Sequence, residues 1–142
     1  TRRVGETIMK IWHGYGSEHS SNLVMIGHFE SAGDALKARE VIQALVDQVR
    51  SEQDAGALEV GEPPEQYSDS MLDTLARLKM PHVNLNELEQ FTYEVNVELE
   101  GNDLVITTDE YDISAFLKVL VDEGARVEVY SAHRLPGTGH GR

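Results

Sequence analysis

His13, Tyr15, Ser17, Glu18 and His19 crowd into the stretch His13-Gly14-Tyr15-Gly16-Ser17-Glu18-His19-Ser20-Ser21-Asn22, and His28 follows shortly after. Two chemistries and one architectural reading compete for these residue types. Zinc takes three or four nitrogen, oxygen or sulfur donors in a tetrahedral shell, and His13, Glu18, His19 and His28 are donors of that kind. Their spacing is not the H-E-x-x-H of a metal-binding helix, so it does not preplace two imidazoles on one face. No metal is expected.

Acid–base or nucleophilic work is the second chemistry. Tyr15 and Ser17 offer hydroxyls, His19 an imidazole and Glu18 a carboxylate to orient it. Neighbouring side chains of an extended chain point apart, so Glu18 reaches His19 only if the loop folds back. No G-x-S-x-G elbow holds a serine on a sharp turn. Catalytic residues are therefore left unassigned, and enzyme activity stays open.

The third reading is architectural. Gly14 and Gly16 permit unusual backbone angles beside Trp12 and Tyr15, while Ser17, Ser20, Ser21 and Asn22 can bond nearby amides in a tight connection. It explains the small residues, but not the concentration of Glu18, His19 and two aromatics. Elsewhere, the glycines near 137–141 lack the strand and helix that make a phosphate cradle, so no nucleotide and no cofactor is expected.

Charge narrows the partners. The chain of 142 residues carries 12 basic and 25 acidic side chains, a formal charge of −13. Such a surface repels a phosphate backbone, which argues against direct nucleic-acid binding. It attracts a basic partner protein instead. No apolar run reaches the roughly 20 residues of a membrane span, so no membrane partner is expected. The absence of cysteine fits a cytoplasmic location and removes thiol chemistry.

The elements that must hold these residues follow from periodicity. Lys10 to Tyr15 alternates as a short strand, and Asn22 to Phe29, apolar on both faces, reads as a central one. Ser31 caps a helix whose stripe is Ala38, Val41, Ile42, Leu45 and Val49, ending near Arg50 or Glu52. Residues 51–67, with paired prolines, read as an exposed loop. A helix capped by Ser68 or Asp69 runs to Lys79 with Met71, Leu72, Leu75 and Leu78 inward, and a short one spans Leu85 to Gln90. Tyr93 to Leu99 alternates strictly, and Gly101-Asn102 makes a hairpin that pairs Leu99 with Leu104 and Val97 with Ile106. A last helix buries Ile113, Phe116, Leu117, Leu120 and Val121, stops at Gly124, and precedes a strand with Val127 and Val129 inward.

This order predicts an α+β fold, a ferredoxin-like β-α-β-β-α-β sandwich with an extra N-terminal strand and a helical insertion at about 51–91. Residues 1–8 read as an upstream extension, 9–134 as a single domain and 135–142 as a flexible tail. The helix-free face should carry Glu94, Asn96, Glu98, Thr107, Glu128 and Tyr130 around Val24, Ile26 and His28.

The segment Met9 to Ser31, built around the His-Gly-Tyr-Gly-Ser-Glu-His-Ser string, resembles the opening of a family of small uncharacterised bacterial proteins. The resemblance implies a bacterial origin and draws attention to His13, Tyr15, Glu18 and His19. The family has no assigned activity, so it supplies no catalytic role.

The functional expectation is a small acidic cytoplasmic accessory protein that binds a partner protein, antitoxin-like or immunity-like if that partner is a basic toxin. Its candidate binding residues are His13, Tyr15, Ser17, Glu18, His19 and His28. The rival expectation is a small enzyme or ligand binder, a possible homodimer, with a pocket lined by the same segment.

Overall fold

The computed structural model describes residues 23–131. Within them the chain is α+β, a four-stranded antiparallel sheet with four helices. The elements in order are β1 (Leu23–His28), α1 (Ala32–Asp54), α2 (Asp69–Leu78), a 3-10 helix (Leu85–Thr92), β2 (Asn96–Glu100), β3 (Asp103–Thr108), α3 (Ser114–Asp122) and β4 (Arg126–Ser131). The expected strand at Lys10 to Tyr15 and the tail at 135–142 lie outside the described residues.

Strand order in the sheet is β2-β3-β1-β4, and every neighbouring pair is antiparallel. Two helix-bearing crossings interlock as a result. β1 and β2 run parallel with β3 between them, and β3 and β4 run parallel with β1 between them. The hairpin has the register that alternation predicts, Leu99 opposite Leu104 and Val97 opposite Ile106. A slip of one residue would turn Leu104 and Ile106, both fully buried, toward the other face.

One face of the sheet is covered. α1 packs on β3 and β2, and α3 packs on β1 and β4. Met25, Leu104 and Ile106 meet the α1 stripe of Ala38, Val41, Ile42, Leu45 and Val49 and the α3 residues Phe116 and Leu120 in one core. Gly27 lies where α3 comes closest: a Cβ there would sit 3.0 Å from Leu120 Cδ2 and 3.2 Å from the Phe29 ring. A side chain there would require the Leu120 and Phe29 side chains to give way by a few tenths of an ångström.

All three α-helices end alike. Ala57 N–H reaches Glu52 O and Gly56 N–H reaches Gln53 O; Met80 and Lys79 repeat the pattern on Leu75 and Ala76, as do Ala125 and Gly124 on Leu120 and Val121. This is the Schellman closure, which needs a left-handed residue. Gly56 and Gly124 supply it without strain, whereas Lys79 adopts φ 59° with a side chain attached. α1 therefore runs to Asp54, past the expected end, because Gly56 stops it and the prolines do not.

Three inward placements are corrected. Val129 on β4 is expected inward but is 45% exposed, and Leu72 and Val121, also expected inward, are 48% and 62% exposed. Leu72 and Val121 each lie at the margin of their helix's apolar stripe, and the sheet and α1 cover only the middle. Between α1 and α2 the chain is largely exposed, as its paired prolines suggest, and Leu58 is the one apolar side chain buried there. Leu58, Met71, Leu75, Met80, Val83, Leu88 and Phe91 are all buried in the same core, against α1 and α3.

Candidate functional site: the open face of the sheet

The register of the four strands sets out the uncovered face as three rows, each crossing β2, β3, β1 and β4. They read Asn96-Thr107-Val24-Tyr130, Glu98-Val105-Ile26-Glu128 and Glu100-Asp103-His28-Arg126. None of these twelve side chains is buried, and among the described residues no element packs over them. Alternation produces the arrangement: the positions between these rows face the helices and are mostly apolar, with Thr108 and Ser131 as the polar exceptions. At the centre Val24, Ile26 and Val105 form a half-buried aliphatic strip. Around it stand Glu98, Glu100, Asp103 and Glu128, with Arg126 and His28 as the basic groups.

His28 is the chemically distinctive member. Its Nδ1 lies 2.9 Å from Asp103 Oδ1 and its Nε2 lies 2.9 Å from Glu128 Oε1. Only the doubly protonated imidazolium can donate to both carboxylates, since a neutral ring has one N–H. The hydrogen bond to Glu128 pushes the His28 pKa up most, partial burial pulls it back, and the Asp103 hydrogen bond and the two negative charges push it up again; the net position is above the ordinary histidine value. Glu128 moves the opposite way. Its hydrogen bond from His28 pulls it down most, desolvation pushes it back, and the Tyr130 hydrogen bond with the charges of His28 and Arg126 leaves it below the usual carboxylate range.

The two carboxylates sit on different ring nitrogens and do not converge on a point where an ion could sit. Among the described residues no group of three or more histidine, aspartate or glutamate side chains is arranged to hold a metal. The ring is also poorly placed as a general base, because both nitrogens are occupied. What the cluster can do is hold a positive charge between two negative ones and release it.

A second carboxylate cluster lies on the helix side. Glu87 is nearly buried; its Oε1 takes the Lys118 ammonium at 2.7 Å and the Asn84 amide at 2.9 Å, and its Oε2 takes the Ser114 hydroxyl at 2.6 Å. Burial pushes this carboxyl up, but the Asn84 amide, Lys118 and Ser114 together outweigh it and leave the pKa below the usual range. Gln90 completes the cluster, donating to Ser114 Oγ and accepting from the Ala115 amide at 2.7 Å. α3 has no side-chain cap of its own, so Gln90 caps it from the neighbouring helix. This cluster clips the insertion to α3 and is structural.

Of the candidate residues read from sequence, His28 is on the open face as expected. His13, Tyr15, Ser17, Glu18 and His19 lie outside the described residues. Asp103 was missed. Its signal was present in the hairpin register, but using it required knowing that β3 lies beside β1. The Glu94 side chain expected on this face precedes β2 and belongs to no strand.

Among the described residues no helix is long and apolar enough to cross a membrane. No curated protein and no solved structure matches the chain. One family does, over most of the length and over the whole described region. The chain belongs to a family of unknown function, DUF6375, matched over residues 9–142.

Proposed function

We propose that this is a small bacterial interaction protein of the cytoplasm that binds a cationic partner protein on the open face of its sheet. The observation that carries the reading is the composition of that face: an aliphatic strip of Val24, Ile26 and Val105 framed by Glu98, Glu100, Asp103 and Glu128. An apolar centre supplies burial on contact, and a charged rim supplies steering and selectivity. The whole-chain charge of −13 adds a long-range field of the same sign. An antitoxin-like or immunity-like role is the form this takes if the partner is a basic toxin. We read the scaffold as a ferredoxin-like sandwich, on the ground that its two β-α-β crossings interlock through one antiparallel sheet.

A second copy of the chain is the competing occupant, as in a dimer that encloses a small-molecule pocket. The aliphatic strip favours some cover, but two copies would bring Glu98, Glu100 and Glu128 against their own kind at a cost.

The test is binding of a short arginine peptide, acetylated and amidated, followed by fluorescence anisotropy at low salt. The wild-type chain should bind, and Glu98→Lys/Glu100→Lys should bind at least about tenfold more weakly. The same reversal at Asp47 and Asp54 on α1 should have a much smaller effect. Equal losses in both variants would show attraction to net charge alone and would end the reading. A concentration-dependent dimer that excludes the peptide would replace it with the second copy.

A further inference from the structure

The open face holds a titratable group between two carboxylates that can also receive a partner's cation. His28 occupies the gap between Asp103 and Glu128, with 2.9 Å to each. The charged groups around it, among the described residues, are Asp103 on β3, Glu128 and Arg126 on β4, and Glu100 beside Asp103 on β2. The other side of β1 faces the apolar core. It contributes Met25 and Gly27 and no charge.

We propose that partner binding at this face is proton-linked: a lysine or arginine of the partner takes the place of the His28 imidazolium as counter-charge to Asp103 and Glu128, and the ring gives up a proton. This rests on the open face being the docking surface. With His28 protonated the three side chains carry a net charge of −1, and both carboxylates are engaged. Once it is neutral the net charge is −2. One nitrogen can still donate, but the other presents a lone pair to a carboxylate, and that contact opens. The freed carboxylate is then available to the incoming cation. Affinity must therefore rise with pH across the His28 titration.

The geometry supports this direction over the reverse. Arg126 is the register neighbour of His28 on β4, so a cation can be carried beside the ring without a change in the strands. His28, Asp103 and Glu128 are all partly exposed, which leaves the exchange accessible to solvent and partner alike.

The experiment measures the same arginine peptide at roughly pH 5.5 and roughly pH 8.5, on either side of histidine titration. Wild-type chain should bind about fivefold tighter at the higher pH, the range a single exposed charge pair commands. His28→Gln should lose that difference. Glu128→Gln, which removes the strongest support of the imidazolium, should move the transition to lower pH. By NMR, the His28 ring resonances should titrate at lower pH in the presence of saturating peptide than in its absence. Binding with equal affinity at both pH values, or an identical pH response in His28→Gln, overturns the proton linkage and leaves the docking face standing. Absence of peptide binding at either pH overturns both.

Discussion

Two carboxylate clusters lie on opposite sides of one sheet, and they solve the same electrostatic problem with different cations. On the helix side Glu87 is held by the Lys118 ammonium, a side-chain type whose ordinary pKa lies far above that of histidine, and by the backbone amide of Asn84 and the Ser114 hydroxyl. On the open side Asp103 and Glu128 are held by His28, which does not stay charged. The Glu87 carboxylate is nearly excluded from water, where an unpaired charge is costly, so a permanent counter-ion is required. The His28 cluster is reached by solvent, where losing its cation costs little. A fold can therefore place a reversible contact there. The contrast separates a group that holds the protein together from a group suited to exchange.

Removing the cation on the helix side should produce the largest effect. Lys118→Met leaves Glu87 charged and nearly buried, and should cost about 2 kcal/mol in urea unfolding at neutral pH. Adding Glu87→Gln in the same chain should recover part of that loss, because the stranded charge is gone. A double variant no more stable than Lys118→Met would show that the ammonium acts through packing and not through charge.

Acid should expose the same cluster more gently. The folded pKa of Glu87 is depressed, so its stabilisation is fully present above the unfolded carboxylate value and is lost as pH falls through the folded one. Stability of the wild-type chain should decline over that acidic window, and Glu87→Gln should decline less steeply there. Parallel curves from thermal melts would remove Glu87 from the account.

His28 should give the smallest effect, with the opposite sign. Its folded pKa is raised, so its contribution is fully present below the unfolded histidine value and fades as pH rises through the folded one. Asp103→Asn should narrow the difference in stability between mildly acidic and alkaline buffer, with a change well below that of Lys118→Met. A loss as large as that of Lys118→Met would mean that the open face is a structural surface after all.

The local features of this molecule were legible in one dimension. Alternation in residues 95–106 specified the hairpin and its register, since a one-residue slip would exchange every inward and outward side chain. The spacing of Ala38, Val41, Ile42, Leu45 and Val49 specified the buried side of α1, and Ser31 and Ser68 were readable as caps because a cap bonds an amide only three residues away. These interactions are short-range, so composition and periodicity carry them.

The contacts that matter for function are not of that kind. His28 meets Asp103 and Glu128 across 75 and 100 residues of chain, and the Gln90 cap reaches α3 from another helix. Such pairs depend on which strand lies beside which, and on which helix end packs near another. Burial of the whole core selects those positions jointly, and no local pattern encodes them. Leu72 and Val121 make the same point from the other side. Helical spacing marks them as apolar-face residues, but the area covered by neighbouring elements sets which of that face is buried. Side-chain order along the chain thus specified the described elements and most, though not all, of their inward-facing positions. Only the packed arrangement brought an imidazole between two distant carboxylates.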